Sequence, residues 1–206
     1  MNKKDLYEQR KQQKFEAKEA RRKEQRKSQL FFGLAVGVPV LLIGGFISYI
    51  LYTSSGAGIP DIGEFFADQG RTHIKEGEAH PAYNSNPPTS GWHYDTPVDW
   101  GVYKEETPEE RLIHNLEHGG IVIEYKPDFD PSIIAKLEDL KTSEFECKLV
   151  VASNKNLDKN IAVRAWHRLY KTDAYDETII KNFIKKYRDT GPELVPCSVK
   201  ASQMQR

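Results

Sequence analysis

Residues 107–125 read TPEERLIHNLEHGGIVIEY, a pattern that predicts a helix followed at once by a strand. Thr107 as N-cap, Pro108 at the first helical position and Glu110 three residues after the cap are typical of a helix start. The glycine pair at 119–120 ends the helix, which we therefore place at 108–118. The β-type run at 121–125 then predicts a buried strand.

Downstream of this unit, apolar residues recur first at helical and then at strand spacing. The predicted elements are a helix at 131–140, strands at 147–152 and 161–169, and a helix at 176–187. This order of elements predicts an α+β fold with a small mixed β-sheet covered by helices.

Upstream, residues 56–108 hold six of the 11 prolines and seven of the 14 glycines. Such a composition predicts a loop region with few backbone ladders of its own. We therefore expect side chains or a ligand to hold this Pro/Gly-rich region in place, ahead of the sheet.

Residues 30–52 contain no charged side chain. As a helix rising about 1.5 Å per residue, this stretch is long enough to cross a hydrocarbon core of about 30 Å. A cleaved signal peptide has a shorter apolar run, of about 7–15 residues. We interpret 30–52 as one N-terminal transmembrane helix that stays attached, although the small residues at 53–57 leave cleavage open.

Charge before and after the span predicts its orientation. Residues 1–29 hold 11 Lys and Arg against 5 Asp and Glu, whereas residues 56–206 hold 19 against 25. Basic residues next to a span stay on the cytoplasmic side. The predicted organisation is a basic cytoplasmic helical segment at 1–29, the transmembrane helix at 30–52 and an extracytoplasmic domain at 53–206. The lipid bilayer is the predicted partner, and the acidic outer domain has no nucleic-acid-binding pattern.

The only two cysteines, Cys147 and Cys197, lie in this outer domain. Outside the cytoplasm an even pair is more often a disulfide than a metal site or a nucleophile. The bridge would close a loop of about 50 residues and add roughly 4 kcal/mol in the chain-entropy model. Two free thiols are the alternative.

Histidines are concentrated in one part of the chain. Five of the six fall within 46 residues, namely His73, His80, His93, His114 and His118. His114 and His118 are four apart and share one helix face, with Glu110 and Glu117 beside them. Imidazole is a good ligand for zinc, copper, iron and nickel, so this face predicts half of a metal site that the loop histidines complete. A solvated polar face is the alternative.

Several motifs together resemble the DUF3105 family of membrane-anchored or secreted bacterial proteins of uncharacterised function. They are PAYNSNPPTSGWH at 81–93, GVY at 101–103, HNLEHGG at 114–120, Ala165-Trp166, Asp176 and Gly191-Pro192-Glu193. The resemblance covers roughly residues 60–195. It implies no activity.

The resemblance does imply which histidines to consider. The family pattern places a histidine eight to ten residues before Tyr83, which fits His73 better than His80, and His167 departs from its usual glycine. The predicted metal ligands are His73, His93, His114 and His118, with His80 as the substitute for His73. The predicted ion is zinc or copper. Glu117 and Glu110 are expected to accept hydrogen bonds from imidazole N–H groups, or one of them to bind the ion.

Two other functions fit the same residues. His114-x-x-Glu117-His118 matches the inverted zinc-peptidase signature, in which the glutamate is the general base of a metal-dependent hydrolase. A metal-free interaction module on the membrane is the third hypothesis. The sequence identifies neither a protein partner nor an oligomeric state.

Overall fold

The computed structural model describes residues 3–54 and 58–198. They form two compact units, one ending at Thr53 and the other beginning at Ser54. The described part of the first unit is helical throughout and belongs to one helix, α1 (Lys3–Ser54), whose last residue is counted in the second unit. Part of it is long and apolar enough to cross a membrane, judged by length and composition. Large apolar side chains such as Phe31 and Leu41 are exposed on it, a surface that suits hydrocarbon.

The second unit is built on a six-stranded mixed sheet. In spatial order its strands are β1 (Glu64–Phe65), β8 (Arg168–Thr172), β7 (Ile161–Ala165), β5 (Ile121–Tyr125), β6 (Leu149–Ser153) and β4 (Val102–Glu106). The pairs β5–β6 and β6–β4 are parallel, and the remaining pairs are antiparallel. The mixed sheet with its helices confirms the predicted α+β class.

Helices cover both faces of this sheet. They are α2 (Glu109–Glu117), α3 (Pro131–Asp139), which runs on into a π-helical turn at Leu140–Glu144, and α4 (Glu177–Tyr187). Alternate residues of β5 join different cores, because side chains on a strand alternate between its faces. Ile123 packs in a cluster with residues of α3 and α4, whereas Val122 packs in another with Leu112 and Leu116 of α2. The remaining, polar face of α2 is thus available to the loop region.

Several predicted bounds agree with the structure to within about two residues, including α2, α4 and the strand β5 at 121–125. The predicted cap of α2 is wrong. The N-cap residue is Pro108, not Thr107, and no side chain caps the helix there. The Glu110 carboxylate that would complete a capping box instead contacts His80, at 3.3 Å.

The strand predicted at 161–169 is wrong in extent, because it is two antiparallel strands, β7 and β8. His167 lies in the turn between them and adopts a positive φ of 64°. A left-handed residue at this point reverses the chain without a glycine or a proline.

The loop region contains one short parallel ladder, formed by β2 (His73–Ile74) and β3 (His93–Tyr94). His73 lies directly opposite His93, and the backbone N–H of His93 donates to the carbonyl of Thr72 at 3.0 Å. This two-residue ladder therefore places two histidines from distant parts of the loop side by side.

The two cysteines, Cys147 and Cys197, form a disulfide with a Cα–Cα distance of 5.8 Å. The bridge connects the segment just before β6 with the segment after α4. It therefore holds the carboxy-terminal segment against the sheet domain, and such bridges are typical of oxidising compartments.

Candidate metal centre

Helix α2 supplies the buried wall of the site. Its apolar residues turn towards the sheet, so His114, Glu117 and His118 are left on the face that meets the loop region. These three residues are only 1%, 3% and 2% exposed. A helix face with buried imidazoles and a buried carboxylate needs polar partners, because an unpaired buried polar group is costly.

The β2–β3 ladder supplies the opposite wall. His93 is fully buried, and its Nε2 lies 3.0 Å from Oε2 of Glu117. His73 Nε2 lies 3.4 Å from the same oxygen, and the His73 side chain is 33% exposed. One carboxylate oxygen on α2 therefore faces two imidazole nitrogens that the ladder has paired.

Four residues from these two walls converge on one point. In His73, His93, His114 and Glu117, one ligand atom of each lies within 4.8 Å of all the others. The His73 and His114 rings are stacked at 4.8 Å, and His93 meets both edge-on at 4.9 and 5.0 Å. A tetrahedral shell with Zn–N bonds of about 2.0 Å separates its ligands by about 3.3 Å, close to the contacts with Glu117.

Backbone carbonyls set the tautomers of two rings. His93 Nδ1 is 2.7 Å from the Gly91 carbonyl, and His114 Nδ1 is 2.6 Å from the Tyr94 carbonyl. A carbonyl only accepts, so each Nδ1 carries the proton and donates it. When such a ring is neutral, its Nε2 carries no proton and has a free lone pair. Metal-binding histidines characteristically donate their other N–H to a carbonyl in this way.

Protonation favours the ligand form of the residues on α2. Burial, with only partial compensation from the hydrogen bond to Tyr94, lowers the pKa of His114 to about 3, so the ring is neutral at pH 7. Burial alone would raise the pKa of Glu117, but its hydrogen bonds and its proximity to His93 outweigh that effect and lower it. His114 thus presents an unprotonated nitrogen beside an ionised carboxylate.

His118 occupies a second, adjoining position. Its Nε2 lies 3.1 Å from His114 Nε2 and 3.5 Å from Oε2 of Glu193. Glu117, His118 and Glu193 form another group whose ligand atoms lie within 4.8 Å of one another. Of the four predicted ligands, three therefore converge with Glu117. His118 pairs with Glu193, which the sequence offered as part of the Gly191-Pro192-Glu193 motif but not as a ligand.

The family comparison covers this whole arrangement. The family model for DUF3105, a protein family of unknown function, matches residues 73–199. The chain belongs to the DUF3105 family. No curated protein and no solved structure matches the chain. The DUF3105 match begins at His73 and includes every residue of both groups.

Two other residues considered in the sequence lie outside both groups. Within the DUF3105 region, His80 Nε2 contacts Glu110 at 3.3 Å, while its Nδ1 donates to the Pro81 carbonyl at 2.8 Å. Glu110 is therefore the partner of His80 and not of His114. His167 lies 3.5 Å from Asp68, in the β7–β8 turn.

A buried arginine of the DUF3105 region, also missed by the sequence analysis, holds the loop against the domain. Arg164 is fully buried, and its Nε lies 2.9 Å from Glu124 Oε2. The same guanidinium pairs with Glu109 at the start of α2 and donates to the Pro88 carbonyl in the loop. A single arginine within an otherwise apolar strand was the available signal, because such a charge is buried only when paired.

Proposed function

We propose that this protein is a single-pass, membrane-anchored domain on the extracytoplasmic side that binds a divalent transition metal, zinc or copper. His73, His93, His114 and Glu117 are the ligands at its centre. His118 lies beside them as a further nitrogen. The bilayer is the partner of α1.

The convergence of acceptors supports metal binding more than any other observation. When their rings are neutral, the Nε2 atoms of His93 and His114 carry lone pairs and act as acceptors. The Nε2 of His93 lies 3.0 Å from a carboxylate oxygen of Glu117, which is also an acceptor. Two acceptors at that distance repel unless a cation lies between them. A proton satisfies one such contact, whereas one metal ion satisfies all four ligands at once.

The donor set narrows the choice of ion. Three imidazoles and one carboxylate suit zinc and copper, while calcium and magnesium prefer oxygen ligands alone. Imidazole also binds iron and nickel. Zinc is favoured among these ions because nitrogen ligands predominate and because the distances between ligand atoms are close to the separation of about 3.3 Å in a tetrahedral zinc shell.

The position of Glu117 favours binding over hydrolysis. As a general base, Glu117 would need an oxygen free to take a proton from a metal-bound water. Its Oε2 is instead shared between His73 and His93, and its Oε1 lies 3.7 Å from Arg71. This arrangement is that of a ligand.

Chain orientation rests on the basic flank and on the disulfide. The Lys and Arg surplus before residue 30 keeps that end in the cytoplasm, and a bridge such as that between Cys147 and Cys197 is typical of an oxidising surrounding. Both arguments support an extracytoplasmic location for the proposed metal centre.

The test is a pair of matched histidine variants of the full chain, purified in detergent with a tag that contains no histidine. His73 and His80 both come from the loop, and each contacts a glutamate of α2 at 3.3–3.4 Å. We expect the wild type to retain at least one zinc ion per chain after dialysis. His73→Ala should weaken zinc binding by more than the roughly 10- to 100-fold typical of a residue that only orients a ligand.

His80→Ala should bind zinc as the wild type does. Absence of zinc and copper from the wild type, after dialysis against either ion, contradicts the proposal and favours a metal-free interaction module. An equal loss in both variants also contradicts it.

A further inference from the structure

Glu117 belongs to both groups of candidate ligands. It lies with His73, His93 and His114 on one side, and with His118 and Glu193 on the other. Glu193 is not within the first group. A carboxylate has two oxygens, and each can bind a different ion. Oε2 of Glu117 faces His73 and His93, so Oε1 is the oxygen left for a second ion, and the half-exposed Arg71 side chain, 3.7 Å away, would have to turn aside for it.

The segment that carries Glu193 is fixed to α2 by its backbone. The N–H of Glu193 donates to the carbonyl of Glu117 at 3.0 Å, and that of Asp189 donates to the carbonyl of Gly119 at 2.8 Å. A Cβ at Gly191 would lie 2.4 Å from the Glu117 carbonyl oxygen, so the close approach requires glycine. Backbone contacts with the end of α2 therefore fix the position of Glu193.

The side of the His118 ring that Glu193 meets identifies its role. A carboxylate that only orients a metal-binding histidine accepts from the nitrogen opposite the metal. Glu193 instead lies 3.5 Å from Nε2, the nitrogen that faces His114. The opposite nitrogen, Nδ1, is buried and has no hydrogen-bond partner among the residues that the structure describes. Glu193 thus lies where a ligand would lie.

We propose that Glu117, His118 and Glu193 hold a second divalent transition-metal ion beside the first, with the Glu117 carboxylate bridging the two. The proposal rests on the proposed function, since it extends the same centre. Two-metal sites in proteins hold their ions about 3.5–4 Å apart, a spacing that one carboxylate spans. Glu193 adds the second negative charge that a second cation needs.

Zinc content per chain tests this inference on the full chain in detergent, stripped with a chelator and dialysed against zinc. We expect two ions in the wild type and one in Glu193→Gln. Glu110→Gln is the matched control, because Glu110 also contacts a histidine but lies outside both groups. It should retain two ions. Both substitutions preserve side-chain size, and circular dichroism and the unfolding temperature verify the fold.

The outcomes separate the two proposals. One ion in both the wild type and Glu193→Gln overturns the second site and leaves the proposed function standing. Two ions in Glu193→Gln also overturn the second site. No ion in the wild type overturns both proposals.

Copper supplies a readout that a structural role for Glu193 would not change. Two copper(II) ions at about 3.5–4 Å broaden each other's electron paramagnetic resonance signal and give a half-field transition. We expect this in the wild type, and the spectrum of one isolated copper(II) in Glu193→Gln. Two isolated copper signals in the wild type would overturn the bridged arrangement.

Discussion

The protonation and binding capacity of the residues at the centre depend on the groups that contact them. His93 is a ligand candidate because the Gly91 carbonyl fixes its tautomer, and Glu117 because the loop closes over it. The sequence identifies the chemical types of these residues. It does not predict their protonation, which depends on carbonyl groups that the fold brings next to them.

Glu124 gives a prediction at this scale. Burial, with a further effect from Glu109 and despite the attraction of Arg164, raises the pKa of Glu124 to about 8. A carboxyl whose pKa is raised in the folded state binds more protons there than when unfolded, so its stabilising contribution is full below about pH 4.5 and declines as pH rises towards 8. Glu124→Gln should therefore flatten the fall in stability between pH 5 and pH 8.

The measurement is the free energy of unfolding of the metal-free chain at a series of pH values. Glu138→Gln, at a partly exposed glutamate of α3, is the control and should keep the wild-type slope. A variant at Glu124 with an unchanged slope would show that the proton is held elsewhere.

At the scale of elements, the prediction from sequence succeeds where signals are local. Helix α2 starts beside Pro108, and Gly119, with φ of 77°, follows its end. The strands β2 and β3 have two residues each, too few to show any periodicity, and 18 residues, 75–92, separate them in the sequence. Glu193 reaches the site through backbone hydrogen bonds made after α4. The Gly191-Pro192-Glu193 motif does not by itself indicate that contact. Local patterns thus predicted the helix half of the site and only the residue types of the rest.

The short ladder leads to a prediction about metal removal. Two residues per strand give too few hydrogen bonds to hold a parallel pair by themselves, so an ion bound by both His73 and His93 should stabilise it. Adding a chelator to the zinc-loaded chain should speed hydrogen exchange at the His93 amide, which donates to the Thr72 carbonyl, and at neighbouring amides of the ladder. The amides of α4 serve as the internal control and should change far less. Equal exchange rates with and without zinc would show that the ladder holds without the ion.

For the whole molecule, the relevant contrast is between a helix that is basic in its first half and apolar in its second half, and an acidic, disulfide-bonded domain. The fold class followed from the order of helices and strands along the chain. A helix followed at once by a strand, and then by further helices and strands in irregular order, is compatible with few layer arrangements. The extent of β7 and β8 did not, because His167 makes a turn with an ordinary side chain.

Topology is the prediction at this scale. A reporter that is active only outside the cytoplasm should be active when fused after Arg206, because the basic residues before the span stay inside. In protein taken from its native membrane without reductant, Cys147 and Cys197 should resist thiol labelling. A fusion that is produced but inactive, or labelling of both thiols, would contradict the orientation.

His73 differs from its neighbours in one respect that bears on exchange kinetics. Its side chain is 33% exposed, whereas His93, His114 and Glu117 are almost completely buried. An ion held here would be accessible to water past that ring. Swinging His73 aside would break one bond and open the coordination sphere, so the motion of this side chain would affect the rate of ion release. A small chelator or an acceptor protein would then take the ion from that side, by replacing one imidazole with its own ligand.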